Sequence, residues 1–413
     1  MPVKNKKKVL VLCQLFYPEL ISTGQLLTEL CENLVKFGIE VEVLCGPPTL
    51  LMGKYKAPRR LSYKGIMIRR VWGTTFPKLV LIGKLINQLT YTISTFCYLF
   101  FDFSRRPIIV LTDPPFLVIA CAILRAFGGK PYIYVTFDVH PDGEIKLGLL
   151  KEKSIIVRLW EFANRFAIKQ ASYVTVLGRC MEKLIYNKIW LTNNIQEKIK
   201  IIHIWCDDKN IVPVERGENY FISKFNLEGK FIIGYAGNFG RYHDIEKIMY
   251  AVKELNKRKD IFFIFVGEGQ KKKWAKEYVI RHSLHNCNFY GYVEREELKY
   301  LLSSFHVGLV SLMAGYEGVA VPSKVVSLLA AGVPILGMIP KSSEMALVVA
   351  EENCGILVEP GDVKGLVGAI MKLYYNPELR KTMGENGRKA VDNKYNLKNV
   401  VLEYRDLIVS LQY

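Results

Sequence analysis

The sequence is short of acid, of histidine and of paired cysteine. Against 57 Lys and Arg stand only 39 Asp and Glu, a formal net charge of +18. The nine cysteines include no Cys-x-x-Cys pair and mostly fall in apolar strand or helix patterns. That argues against a disulfide framework or zinc site and fits the reduced, buried thiols of a cytosolic protein. There are six histidines; His282 and His285 stand near Cys287, but no carboxylate is spaced to join them, so a metal centre is not expected. Low-complexity tracts are absent and half the residues are apolar, which excludes a disordered chain. The lysine-led start and "VLVLCQLF" lack a small-residue cleavage site, so they read as a buried first strand rather than a signal peptide.

Long apolar runs are also scarce. The strongest, "LINQLTYTISTFCYLFF" over 85–101, carries no charge but includes Asn87, Gln88 and several hydroxyls. It is expected as a buried or membrane-facing amphipathic helix, with a true span as the alternative. Lys78, Lys84, Arg105 and Arg106 flank it and suit an anionic bilayer surface. The basic excess also includes Lys4, Lys6, Lys7 and Lys8, the block Arg59-Arg60-Lys64-Arg69-Arg70, and Lys271-Lys272-Lys273. Such a balance implies a polyanionic neighbour. No nucleic-acid motif accompanies it, so nucleic acid is not the expected partner.

A chain of 413 residues is too long for one ordinary core. Short apolar strands alternate with helical patterns in two series. The first runs through "KVLVLCQLF", "EVEVLC", "PIIVLT", "PYIYVTFD" and "ASYVTVL". The second begins at "KFIIGYAGNFG" and continues through "IFFIFVGEG", "CNFYGYV", "HVGLVSL", "VPILGMI" and "CGILVEP". Continuous apolar strands between helices mean parallel sheets covered on both faces. The expectation is therefore an α/β protein of two tandem doubly wound, Rossmann-like domains facing a shared cleft. Domains are expected at 1–208 and 209–394, with "WCDDKNIVPVERGENY" as linker. A final helix in 395–413 would cross back to the first domain.

Polar groups at strand ends are the candidates for chemistry. The first loop places Ser22, Thr23 and Gly24 before a helix, either as an ordinary cap or as a close approach to a ligand. "VTFDVHPDGE" ends a strand with Asp138, His140 and Asp142, whose individual roles stay open. "YAGNFGR" brings Gly237, Asn238, Gly240 and Arg241 to a turn; Arg241 could neutralise a diphosphate or simply be solvated. In "GVAVPSKVVSLLAAGVP", a glycine-led turn enters a helix through Pro322 and Ser323, with Lys324 just inside. Amides of Gly318 to Val321, the helix start and Lys324 would form an anion site.

In the order and spacing of these pieces, the chain resembles the family-4 glycosyltransferases of GT-B fold, close to the enzymes of colanic acid and O-antigen synthesis. The resemblance runs over nearly the whole chain, from "FYPELISTGQLLTELCENLVKFGIEVEVL" through "LTDPPF", "VTFDVHPDG", "YAGNFGR", "FVGEG" and "NFYGYV" to "PSKVVSLLAAGVPIL". It implies transfer of a sugar from a nucleotide-diphosphate sugar, with a UDP or GDP leaving group. The acceptor would be a polyprenyl-diphosphate-linked glycan. Configuration would be retained, and neither metal nor cofactor would be required. It places Asp138, Arg241 and Lys324 in the reaction, and Gly24, Gly237, Asn238, Glu268, Gly269, Glu317, Gly318, Val319, Ala320, Ser323 and Ser327 around the donor. The implied location is cytoplasmic, peripheral to the inner face of the membrane. Two departures stand out. The family's glutamate pair would fall on Val319 and Ser327, with Glu317 two residues early as a substitute for the first. The lysine that usually follows "GR" is replaced by His243-Asp244, with Lys247 further on. Competing readings are a sugar-nucleotide 2-epimerase and a partner subunit without transfer activity.

Overall fold

The computed structural model describes residues 7–19, 22–48, 57–76, 81–189 and 195–412, so Lys4, Lys6 and Lys78 lie outside the described residues. The chain divides into two compact units, Met1–His203 with Lys398–Tyr413, and Ile204–Leu397.

Among the described residues the first unit has eight strands: β1 Lys8–Leu12, β2 Glu40–Cys45, β3 Arg60–Tyr63, β4 Ile66–Arg70, β5 Ile108–Leu111, β6 Tyr132–Thr136, β7 Tyr173–Val176 and β8 Ile199–Ile201. Their order is β3-β4-β2-β1-β5-β6-β7-β8, parallel except for β3. Val9 to Leu12 and Ile109 to Leu111 are fully buried, as strands covered on both faces must be.

The β3–β4 hairpin was not foreseen. Lys64 and Gly65, at φ 47° and 83°, make its two-residue turn. The hairpin also consumes much of the basic block. Lys64 pairs with Glu32 at 3.0 Å and Arg69 with Glu42 at 3.1 Å, while Arg70 is buried and donates to the Tyr17 carbonyl at 2.6 Å.

The uncharged run becomes the helix Leu81–Phe100, turned inside out. Its polar residues face inward: Gln88 donates to Asp113 at 3.0 Å, and Asn87 bonds both the N–H and the carbonyl of Phe76 at 2.9 Å. Ile82, Leu85, Leu89 and Ile93 are exposed. No helix among the described residues is long and apolar enough to cross a membrane.

The second unit has six parallel strands: β9 Phe231–Ala236, β10 Ile261–Val266, β11 Cys287–Tyr290, β12 Val307–Ser311, β13 Ile335–Met338 and β14 Gly355–Val358, ordered β11-β10-β9-β12-β13-β14. The stretch expected as a linker is instead packed into this unit. Trp205 is buried, Cys206 bridges to Asn396, Asp207 holds Arg295 at 2.9 Å, and Asp208 accepts from the Leu397 amide at 3.0 Å. Its polar residues are partners rather than solvated spacers, and the two compact units divide at 203/204 and again at 397/398.

The helix Leu397–Ser410 belongs to the first unit. Its Tyr404 is fully buried, with its hydroxyl 3.2 Å from the Thr175 hydroxyl of β7. All nine cysteines are free thiols, seven of them buried. Truncating a buried aromatic costs about 3–5 kcal/mol. Tyr404→Ala should therefore lower the first unit's melting transition and leave the second unit's unchanged, as read by differential scanning calorimetry.

Candidate functional site

In the second unit the carboxyl ends of β10, β9 and β12 lie side by side, and two of the following loops are locked together. The Gly237 amide donates to the Val266 carbonyl at 2.9 Å, Phe239 to Glu268 at 2.9 Å, and Lys271 to Phe239 at 3.1 Å. This approach leaves no room for side chains. A Cβ on Gly267, where φ is +125°, would sit 2.1 Å from the Gly237 oxygen. A Cβ on Gly237, where φ is +143°, would press against the Lys324 side chain at 3.3 Å.

Of the lysines at these strand ends, two are committed to the fold. Lys271 donates to the His243 carbonyl at 2.7 Å and to Glu246 at 3.0 Å. Lys272 spends its three protons on Gly267, Glu268 and Tyr290, at 2.7, 2.7 and 2.8 Å. Lys324 is different. Its Nζ is buried and has no hydrogen-bond partner among the described residues, lying 3.7 Å from the centre of the Tyr235 ring. The π-face supplies some attraction, but not the three acceptors an ammonium has in water. Burial accordingly pulls its pKa from 10.5 to about 7. Such a group is poised to take an anion.

Around it, Tyr235 donates its hydroxyl proton to the Asn238 carbonyl at 2.7 Å. His243 is buried and, through Nδ1–H, donates to the Ser311 carbonyl at 2.6 Å. Burial first, and then the charge of Lys324, hold that imidazole well below its ordinary pKa, hence neutral. Tyr235 and His243 escaped the sequence reading because one resembles any core aromatic and the other stood only as a departure from a motif. Arg241 is exposed, its Nε donating to Gln270. Asn238, Glu268 and Gly269 are exposed at the same strand ends, and Lys247 turns its ammonium over the Tyr250 ring at 5.3 Å.

The turn before Lys324 differs from expectation. Gly318, at φ 76°, reverses the chain so that the amides of Val319 and Ala320 both point at the Tyr316 carbonyl, at 3.1 and 3.4 Å. The amides of Gly318 to Val321 are therefore not all free. Ser323 is helical and does not cap with its side chain, and the helix Lys324–Ala330 has only seven residues. The positive charge of the site rests on the lysine rather than on a helix terminus. Glu317 is half-buried in the turn and Ser327 half-buried in the helix.

In the first unit, Asp138 follows β6 and is exposed, with Thr112 Oγ1 accepting from the amides of Phe137 and Asp138 at 3.2 and 3.5 Å. His140 Nδ1 lies 2.8 Å from Glu144, and its ring stacks on Trp160. Burial disfavours its charge, but Glu144, Asp138 and Asp113 outweigh burial and raise its pKa. Asp142 pairs with Lys188 at 2.5 Å, a structural bond. Gly24 lies not in a loop but in the first turn of the helix Ser22–Lys36, its carbonyl accepting from Thr28 at 2.7 Å.

Comparison with known proteins decides what kind of protein carries these groups. Residues 218–390, which hold the whole Lys324 site, match the family model "Glycosyl transferases group 1". The probable glycosyltransferase WbjE of Pseudomonas aeruginosa is 30% identical over 65% of this chain, the match spanning 66% of that protein, just under two thirds. The putative colanic acid biosynthesis glycosyl transferase WcaI of Escherichia coli K12 is 23% identical over 96% of this chain and its own full length. The chain has the GT-B fold, and its residues 218–390 match the glycosyl transferases group 1 family. Its fold is that of Anabaena HepE, whose structure in complex with UDP-glucose superposes with a TM-score of 0.71 at 13% identity, covering 98% of this chain and 99% of that one. In sequence the chain is similar to bacterial glycosyltransferases named for colanic acid and capsular polysaccharide biosynthesis.

Removing the buried charge should free stability that its burial costs. In the ligand-free protein the penalty is complete below pH about 7 and is relieved as pH rises toward the unfolded value of 10.5. Lys324→Met should raise the melting temperature at pH 6 by a few degrees and flatten the rise of stability between pH 7 and 10. A melting series across pH checks both.

Proposed function

We propose that this glycosyltransferase takes its sugar from a nucleotide-diphosphate donor bound at the ends of β9, β10 and β12, with Lys324 and Arg241 receiving the diphosphate. One observation carries the reading: a buried ammonium without a hydrogen-bond partner among the described residues, beside the exposed Arg241 turn. The UDP-glucose complex of HepE supports the donor class. Around the same donor we place Gly237, Asn238, Glu268, Gly269, Glu317, Gly318, Val319, Ala320, Ser323 and Ser327. Gly24 is proposed at its phosphates, and Asp138 on the acceptor side.

In the reaction the bond from the anomeric carbon to the diphosphate breaks as an acceptor oxygen bonds that carbon. With retention, the acceptor enters on the face the diphosphate leaves, and a departing phosphate oxygen takes the hydroxyl proton. Negative charge accumulates on that phosphate, where Lys324 and Arg241 stabilise it without reorganisation. These fixed side-chain cations make a metal unnecessary. The acceptor is a lipid-linked glycan, presented at an anionic membrane surface on its cytoplasmic side, and the product enters cell-surface polysaccharide. The naming of WcaI for colanic acid biosynthesis and the exposed apolar helix of the first unit support this.

The test is thermal stabilisation by UDP, GDP, dTDP and ADP, since a ligand that binds only the folded state raises the midpoint. One nucleotide should do so, and Lys324→Ala or Arg241→Ala should remove the shift. A panel without any shift overturns the donor assignment.

Proton linkage gives an independent check. Diphosphate should raise the pKa of Lys324, so binding takes up a proton above pH about 7. Affinity should then fall by up to about tenfold per pH unit above that point. Titration calorimetry of the parent in buffers of different ionisation enthalpy should show the uptake at pH 8.5 and little of the lysine's share at pH 6, where Lys324 is already charged.

A further inference from the structure

The helix Ile155–Gln170 has an outer face that its charge-interrupted sequence conceals. At 100° per residue, Ile155, Leu159 and Phe162 form one stripe. Their exposures are 67%, 62% and 73%, so nothing among the described residues covers them. Arg158, Arg165 and Lys169 fall within about 100° of that stripe on one side, and all three are exposed. Over 151–169 there are five basic residues and two acids, and one of the acids, Glu161, is bound to Lys188. The opposite face, with Val157, Asn164, Ala167 and Ile168, is buried.

This helix packs on Leu117–Ala126, which packs in turn on Leu81–Phe100. All three cross between strands in the same direction along the sheet order, which puts them in one layer on one face. The outer rows of the layer are therefore two apolar stripes. The Leu81–Phe100 stripe, from Ile82 to Phe100, is about 27 Å long by helical rise.

We infer that this layer is the bilayer-facing surface of the enzyme, and that Ile155–Gln170 inserts alongside Leu81–Phe100, its basic row held at anionic headgroups. An interfacial helix needs an apolar stripe with cations along its edge, whose stems reach up to the headgroups. A second copy of this chain fits poorly, because a two-fold contact would bring the same basic row against itself. The inference rests on the membrane reading above and adds the surface that makes the contact.

The test is flotation of the full chain with vesicles of phosphatidylcholine alone or mixed with phosphatidylglycerol. The parent should bind the mixed vesicles, and more weakly at high salt. The double variants L159E/F162E and L89E/I93E should each weaken that binding at least about tenfold. Both should keep the nucleotide-driven melting shift, since the changed residues are exposed. R158Q/R165Q should weaken binding and reduce its salt dependence. If L159E/F162E binds like the parent while L89E/I93E does not, the membrane reading stands and the inference falls. A parent that ignores anionic vesicles overturns the membrane reading itself. A vesicle-free dimer broken by L159E/F162E would show that the face meets a second copy, and would overturn the inference.

Discussion

The proposed donor site depends on how closely two backbone turns can approach. The loops after β9 and β10 share hydrogen bonds from Gly237 to Val266 and from Phe239 to Glu268, a contact that a single methyl at position 267 would forbid. Because the turns meet there, the Lys324 side chain lies across Gly237 and over the Tyr235 ring. Tyr235 in turn fixes the Asn238 carbonyl, and the neighbouring turn carries Arg241 to the surface. One glycine contact thus sets the position of the cation on which the proposed chemistry relies.

Energetically the site is held in a state that the ligand-free protein would shed if it could. An aromatic face returns part of what the ammonium loses on leaving water, and the depressed pKa records the shortfall. His243 shows the same field from another side: it remains neutral partly because Lys324 is charged. A diphosphate would satisfy the lysine without displacing any existing partner. This is how a preorganised electrostatic site differs from an ordinary surface ion pair, in which water has to be exchanged and side chains ordered.

Most of the strand framework was legible, because a strand buried on both faces shows as an unbroken apolar run. β9, β10, β12 and β13 all appear that way in the sequence. The β3–β4 hairpin was not legible, since Arg60, Arg69 and Arg70 made it read as a patch of charge. Residues 205–220 misled for the related reason that Asp207 and Asp208 look solvated until Arg295 and the Leu397 amide are placed beside them. That Lys324 and Arg241 come to strand ends was legible from their motifs, but the occupied amides of Val319 and Ala320 were not. Whether an amide is free depends on the sign of one dihedral angle, at Gly318. Run length found the outer helix 81–100. It missed 155–170 because Arg158, Glu161 and Arg165 interrupt the run while leaving the helical period intact.

The assignment of Leu397–Ser410 to the first unit has a consequence for how the molecule comes into being. On the ribosome, residues 8–201 emerge with all eight strands of their sheet, yet the surface that receives Tyr404 has to wait for about two hundred further residues. The second unit, continuous from Ile204 to Leu397, is complete before that helix has been made. During synthesis the later-encoded unit is therefore the first that can close its core. The surface beside β7 that Tyr404 covers stays open until then, an interval of exposed apolar surface in the unfinished amino-terminal unit.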